Sequence, residues 1–118
     1  MSVTYPLFVF EKDDRSMRVI ESPDSILSWH EAIDIENDEY VFWDATGSGV
    51  QVKVKGNKVM TVTSCAAPFP LGEALATYAE SLGLSRNVIE GQPVEIWQRI
   101  EGELKRRPRK RNWLSRIF

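Results

Sequence analysis

The most regular pattern of apolar and polar positions lies between Tyr40 and Ser64, where three strand-like stretches follow one another. In the middle stretch the two kinds of residue alternate strictly, in the order Val50, Gln51, Val52, Lys53, Val54 and Lys55. A period of two is typical of a strand with one buried and one wet face. We therefore predict that the valines point toward the helices and that the lysines are exposed.

The stretches on either side complete a three-stranded meander. Gly56 and Asn57 form a two-residue turn that tolerates positive φ, which predicts a tight hairpin. In the register of that hairpin, Val59, Thr61 and Thr63 lie opposite Val54, Val52 and Val50, respectively. The first stretch, residues 40–43, is apolar on both faces, so we expect a central strand that is covered on both sides.

A further hairpin and a short helix are predicted before the meander. Residues 5–10 are apolar and β-prone, a polar turn follows, and residues 15–21 alternate, which indicates two antiparallel strands. The sequence Ser22-Pro23-Asp24 is typical of a helix start, because it offers a serine cap, a proline and an acid in the first turn. The helix is predicted to end near Ala32, and four of its residues share one face: Ile26, Trp29, His30 and Ile33.

Two longer helices are predicted after the meander. Gly83 is placed to end the first in a left-handed turn, and Pro93 can start the second, which Pro108 stops. The first has one apolar face, formed by Leu71, Leu75, Tyr78 and Leu82. The face of the second is formed by Ile96, Trp97, Ile100 and Leu104.

These elements predict the order β-β-α-β-β-β-α-α and an α+β fold. The sheet is expected to be antiparallel, with about five strands and with two or three helices packed on one face. A chain of 118 residues has the size of one ordinary domain. We therefore predict a single domain over residues 1–104, followed by a basic amphipathic tail over residues 105–118.

Composition favours a folded chain of the cytoplasm. The hydrophobic fraction is 42% and the charged fraction 27%, close to globular averages. The first residues do not have the basic start of a signal peptide, and no apolar run approaches the ~20 residues of a membrane-spanning helix. Cys65 is the single cysteine, so an internal disulfide is excluded, as is common in a reducing compartment.

The net charge of -2 conceals a strong asymmetry along the chain. Seven basic residues and no acidic one occur from residue 105 onward: Lys105, Arg106, Arg107, Arg109, Lys110, Arg111 and Arg116. The rest of the chain carries all 17 acidic residues against eight basic ones, so a body near -9 precedes a tail near +7. A split of this kind is typical of a chain with an interaction segment.

An acidic stretch leads into the meander and is the candidate protein-binding surface, formed by Glu31, Asp34, Glu36, Asp38 and Glu39. Asp44 makes this set denser. Its alternating carboxylates resemble the start of a calcium loop, but Glu39 stands where the sharp turn needs glycine and Ala45 where a bidentate glutamate is needed. We therefore expect neither a metal nor another cofactor, and a basic protein as partner.

The only histidine, His30, and Cys65 are candidates for a nucleophile pair. Nothing near Cys65 in the sequence marks a reactive thiol, and residues 64–67 have the pattern of a strand end that is packed in the core. One histidine and one cysteine also cannot supply the ligands of a zinc site. The sequence therefore predicts a protein that is not an enzyme.

The tail is the second candidate contact region, through Arg106, Arg107, Arg109, Lys110, Arg111 and Trp113. If residues 112–118 are helical, Trp113, Leu114, Ile117 and Phe118 share one side. This combination suits an anionic membrane surface, and it equally suits nucleic-acid phosphates with Trp113 stacking on a base. Two further alternatives are docking on the acidic body, its own or that of another copy, and an end without function.

The order of elements, the helix start at residues 22–24 and two motifs carry a resemblance to a known group. The motifs are Ile33-Asp-Ile-Glu-Asn-Asp-Glu-Tyr40 and Trp43-Asp-Ala-Thr-Gly47. Over residues 5–64 the chain resembles small, mostly uncharacterised bacterial α+β proteins, some of which are toxin-immunity proteins. The resemblance implies an inhibitor that binds another protein, and it supplies no catalytic residues.

Two functions follow as expectations, and an unrecognised small enzyme is the third alternative. The first is a non-enzymatic cytoplasmic binding domain, of the immunity type, that uses the acidic surface. The alternative is an accessory protein that binds an anionic membrane or nucleic acid through its tail. Deletion of residues 105–118 discriminates between them, because it spares the first function and abolishes the second.

Overall fold

A computed structural model describes residues 3–29, 32–85 and 89–106. Within them the chain forms one antiparallel five-stranded sheet in the order β2-β1-β3-β4-β5, which confirms the α+β prediction. The strands are β1 (Leu7–Glu11), β2 (Met17–Ile20), β3 (Tyr40–Trp43), β4 (Gly49–Lys55) and β5 (Lys58–Ser64). A 3-10 turn (Pro23–Ser25) precedes the helices α1 (Ile26–Trp29), α2 (Ala32–Glu36), α3 (Leu71–Ser81) and α4 (Pro93–Arg106).

The helices cover both faces of the sheet, not one face as the sequence predicted. Phe8 and Trp43 share an apolar cluster with Leu75 of α3 and Ile100 of α4. A second cluster joins strand residues such as Phe42 to Ile26 of α1 and Ile35 of α2, on the opposite face. The physical reason is that β1 and β3 are apolar on both sides, so one helical layer cannot remove all of their apolar surface from water. The central position predicted for β3 is confirmed.

The alternation in β4 has the predicted facing. Val50 and Val52 are buried and Val54 is half-buried, while Lys53 and Lys55 are exposed. The two buried valines lie in the cluster that α1 and α2 cover, so this strand faces the two short helices and not α3 and α4.

The register of the β4–β5 hairpin differs from the prediction by one residue beyond its first pairs. Gly56 has a φ of +61° in the turn, and Val59 pairs with Val54 as predicted. Farther along, Val62 lies opposite Val52 where Thr61 was predicted, because β5 carries one extra residue, Met60. This β-bulge leaves Met60 57% exposed and moves Val62 onto the apolar face, where it packs against the cluster.

The predicted first helix is divided and extends farther than expected. Its start is a 3-10 turn, and the Ser22 hydroxyl lies 3.2 Å from that of Ser25, so it does not cap a backbone N–H group. A separate helix, α2, ends at Glu36, so the predicted acidic connection begins inside α2. Ile33, predicted on the inward face, is 60% exposed, and Ile35 is buried in its place. Trp29 belongs to α1, and His30 lies outside the described residues.

The two longer helices agree with the sequence. Gly83 follows α3 with a φ of +76°, and the Leu84 N–H donates to the Ala79 carbonyl, as a left-handed helix end requires. Helix α4 begins at Pro93 and continues to Arg106, two residues into the segment predicted as a tail. No helix in the described part of the chain combines the length and the apolarity that crossing a bilayer requires.

Gly49 is required where the chain after β5 crosses the start of β4. The Cys65 N–H donates to the Gly49 carbonyl at 2.9 Å. A Cβ atom at Gly49 would lie 2.6 Å from the Cys65 carbonyl oxygen and 2.7 Å from the Ala67 nitrogen. Both are backbone atoms, so a side chain at Gly49 would force the link between β5 and α3 away from the sheet.

Candidate functional site

The acidic residues of two separate segments meet at one end of the sheet. Strand β1 pairs with β3, and Glu11 lies opposite Tyr40, so the β1–β2 turn is held beside the α2–β3 connection. The Lys12 N–H donates to the Glu39 carbonyl at 3.1 Å, and the Lys12 Nζ contacts Asp38 at 3.1 Å. We define the acidic surface as the seven carboxylates of these segments: Glu11, Asp13, Asp14, Asp34, Glu36, Asp38 and Glu39.

The pKa is raised for two of these carboxyl groups, and neighbouring carboxylates contribute to both shifts. For Glu39 the largest cause is the hydrogen bond with Asp34, which favours a shared proton, followed by burial and by repulsion from Asp34, Asp13 and Glu11. Burial comes first for Glu11, and Asp14, Asp13 and Asp34 raise its pKa further, while Arg18 lowers it. At Glu11 and Glu39, the neighbouring carboxylates therefore add repulsion to these other causes.

The pKa of Glu39 leads to a prediction with a definite sign. Because the folded state raises this pKa above its ordinary value of 4.5, ionised Glu39 destabilises the fold, and the loss develops as the pH rises through the folded pKa. We expect Glu39→Gln to raise the melting temperature at neutral pH, and this gain to disappear well below pH 4.5.

Asp14 is the matched control for that measurement. Hydrogen bonds from the Ser16 hydroxyl and N–H hold its pKa below the ordinary value of 3.8. Its contribution to stability is therefore present above that value and is lost as the pH falls through the folded pKa. Asp14→Asn should lower the melting temperature at neutral pH. The same sign for both variants would contradict the assignment.

The structure brings together four of the five residues predicted for the acidic surface. Asp34 and Glu39 are half-buried, Glu36 and Asp38 are exposed, and Glu31 lies outside the described residues. Sequence reasoning missed Glu11, Asp13 and Asp14, although it assigned them to a polar turn. Their membership depends on the pairing of β1 with β3, which local sequence does not specify.

Asp44 is not part of the acidic surface, contrary to the prediction. It lies at the opposite end of β3 and is 3% exposed. Burial raises its pKa, but hydrogen bonds from the Thr46 hydroxyl and from the N–H groups of Thr4, Thr46 and Ser48 outweigh burial, so that the pKa is lowered. Of these four bonds, of 2.6 to 3.1 Å, three hold the β3–β4 loop together, and the one from the Thr4 N–H ties the loop to the residues before β1. Asp44 is therefore structural.

A groove of about 840 Å³ opens between β3 and β4 beside the acidic surface. The two strands pair only at Phe42 with Val50 and at Trp43 with Gly49, and the groove lies where they diverge. Apolar residues along its lining include Ile35, Tyr40, Val52 and Val54, and polar ones include Lys12, Glu36, Asp38, Gln51 and Lys53. We call this feature the β3–β4 groove. Glu36 and Asp38 belong to it and to the acidic surface.

Cys65 is exposed, and the prediction of a thiol packed in the core is wrong. Strand β5 is an edge strand that ends at Ser64, so the next residue leaves the sheet and lines the β3–β4 groove. Because His30 lies outside the described residues, the structure does not place it relative to Cys65. Among residues 3–29, 32–85 and 89–106, no group of three or more potential ligands could hold a metal ion.

Of the predicted tail contacts, the structure describes Arg106. It is exposed in the last turn of α4 and forms an ion pair with Glu103. The other predicted tail contacts lie outside the described residues: Arg107, Arg109, Lys110, Arg111 and Trp113.

Comparison of the chain with protein-family models, with curated proteins and with solved structures finds no match. The similarity to toxin-immunity proteins therefore stays a prediction.

Proposed function

We propose that this protein is a non-enzymatic binding domain of the cytoplasm, of the immunity type, and that its acidic surface binds a basic surface of a protein partner. The observation that carries the proposal is the convergence of seven carboxylates from two segments that the sheet brings together. The hydrogen bond with Asp34 and burial raise the pKa of Glu39, and burial raises that of Glu11; repulsion from neighbouring carboxylates adds to both shifts, so an approaching cationic surface gains attraction and also relieves repulsion.

An exposed apolar side chain lies within the same segment. Ile33 is 60% exposed on α2, next to Asp34 in sequence and one turn before Glu36. Protein interfaces combine a buried apolar anchor with a polar, charged rim. Ile33 can serve as the anchor, while the carboxylates guide encounter and orient the partner.

A charge-reversal experiment tests the proposal. We expect Asp34→Lys, Glu36→Lys and Asp38→Lys, combined in the full-length chain, to weaken binding by about tenfold or more, which corresponds to ~1.4 kcal/mol. Binding is measured by calorimetry against the protein products of neighbouring genes, at low and at high salt. The affinity of the unaltered protein should fall as salt rises, because salt screens exposed charges.

The matched control carries an equal change in net charge elsewhere on the surface. Asp24, Glu21 and Glu90 are exposed and do not belong to the acidic surface, so their combined replacement by lysine should leave affinity nearly unchanged. Equal losses in the two triple variants would show that only net charge matters, and no loss in either would refute the proposed surface.

The second candidate function is binding to an anionic membrane or nucleic acid through the tail. It is favoured by the seven basic residues from Lys105 onward, which no acidic residue accompanies. Deletion of residues 105–118 distinguishes the candidates. Partner binding through the acidic surface should survive the deletion, whereas binding to anionic vesicles or oligonucleotides should be lost.

A further inference from the structure

The β3–β4 groove has the shape and lining of a site for a chain segment. Its volume of about 840 Å³ falls within the ~300–1,000 Å³ that is usual for ligand sites. Its walls are two strands that pair at only two positions before they diverge. Apolar side chains such as Ile35 and Tyr40 line it, and Glu36 and Asp38 connect it to the acidic surface.

The lining of the groove is not itself acidic overall. Lys12 and Lys53 balance Glu36 and Asp38 in number, and Lys12 is paired with Asp38 at 3.1 Å. The excess negative charge comes from the other members of the acidic surface, which lie around Lys12 on the two adjoining segments. The occupant that fits is therefore a segment with apolar residues for the groove and adjoining cations for the acidic surface.

The chain carries such a segment directly after α4. Residues 107–118 lie outside the described residues and contain no acidic residue. Their five cations come mostly before the large apolar residues, in the order Arg107, Arg109, Lys110, Arg111, Trp113, Leu114, Arg116, Ile117 and Phe118. The basic part of the segment suits the acidic surface, and the apolar part that follows suits the groove beside that surface.

Length and connectivity favour the segment of the same molecule. Twelve extended residues span up to about 40 Å, and the longest dimension of the molecule is 43 Å. The segment after Arg106 can therefore extend over most of that length while α4 stays helical, and Trp113, seven residues on, can lie up to about 25 Å from Arg106. A tethered ligand also experiences an effective concentration of about 1 mM for a short linker, well above that of a second copy in dilute solution.

We propose that residues 107–118 dock in the β3–β4 groove of their own molecule, with their cations on the acidic surface and Trp113 against the apolar lining. This inference rests on the proposed function, because the segment occupies the surface that the basic partner needs. The segment is then a built-in competitor, which the partner displaces on binding.

Cys65 provides a direct test, since it is the single cysteine, is exposed and lines the groove. In the full-length protein, Ser115→Cys places a second thiol between Trp113 and Ile117 with little change in size. In a glutathione redox buffer, we expect an intramolecular disulfide that forms at a rate independent of protein concentration. Non-reducing electrophoresis and mass spectrometry identify it. The assay contains no partner protein, so its result does not depend on the partner-binding experiment.

Further variants separate docking from random collision. Two variants are compared with Ser115→Cys: one adds Glu36→Lys and Asp38→Lys, and the other adds Trp113→Ala. Formation of the intramolecular disulfide (trapping) should be about tenfold slower in each, which corresponds to the loss of ~1.4 kcal/mol. Adding Glu21→Lys and Glu90→Lys should not slow it. Circular dichroism verifies that every variant is folded.

Each outcome decides the inference. Concentration-independent trapping that depends on Trp113 and on the groove carboxylates supports it. Disulfide-linked dimers as the main product would assign the groove to a second copy of the chain. Equal rates of disulfide formation in all variants would indicate random collision. Either result overturns the inference. If trapping supports the inference while partner binding ignores the acidic surface, only the proposed function fails. If partner binding depends on the acidic surface while disulfide formation does not depend on Trp113 or on the groove carboxylates, only the inference fails.

Discussion

Replacement of Asp44 by alanine is expected to lower the free energy of unfolding by about 3 kcal/mol. The carboxylate is almost fully buried and accepts four hydrogen bonds, from the Thr46 hydroxyl and from three backbone N–H groups. Alanine leaves these donors without their acceptor inside the protein, where water does not fully replace it. Urea denaturation followed by circular dichroism measures the loss.

Two comparisons sharpen this prediction. Asp34→Ala removes a carboxylate from the acidic surface and should change the free energy of unfolding by less than about 0.5 kcal/mol. Because the pKa of Asp44 is lowered from 3.8, its contribution is complete above that value and disappears as the pH falls through the folded pKa. The Asp44→Ala variant and the unaltered protein should therefore become more similar in strong acid. A loss below about 1 kcal/mol at neutral pH would contradict the structural role.

The second large effect is expected at Val52, where aspartate should prevent stable folding. Val52 is 8% exposed in the cluster beneath α1 and α2, so a carboxylate there is buried without a partner and costs about 4 kcal/mol or more. Loss of the cooperative thermal transition is the measurement.

Lys53 is the matched control for Val52, because it is the next residue of the same strand and is exposed where Val52 is buried. Lys53 is exposed, so Lys53→Asp should shift stability by less than about 0.5 kcal/mol. A folded Val52→Asp variant together with an unfolded Lys53→Asp variant would invert the facing of β4.

The β4–β5 hairpin shows how far local sequence determines structure. Alternation in β4 specified its buried face, and Gly56 with Asn57 specified the turn and the pairing of Val54 with Val59. The turn does not determine whether the ladder stays regular farther away. The bulge at Met60 lets the half-buried Val62 pack against the apolar cluster, and that gain depends on helices from another part of the chain.

The acidic surface was predictable only in part for a similar reason. Asp34, Glu36, Asp38 and Glu39 were found because they are neighbours in sequence, whereas the turn that follows Glu11 joins them through the pairing of β1 with β3. For Asp44, proximity in sequence to the same residues led to a wrong prediction that it belongs to the acidic surface. Strand β3 separates it from Glu39, and four residues at ~3.3 Å each place the two at opposite ends of the sheet.

The coverage of the two sheet faces has a consequence for synthesis on the ribosome. The face under α1 and α2 is complete once Ser64 has emerged, since all its cluster residues lie between Val3 and Val62. The other face acquires α3 and α4 only later, and until then Phe8, Phe10, Val41 and Trp43 remain without their cover. A nascent chain stalled after the meander therefore presents one finished side to solvent and offers the other to a chaperone.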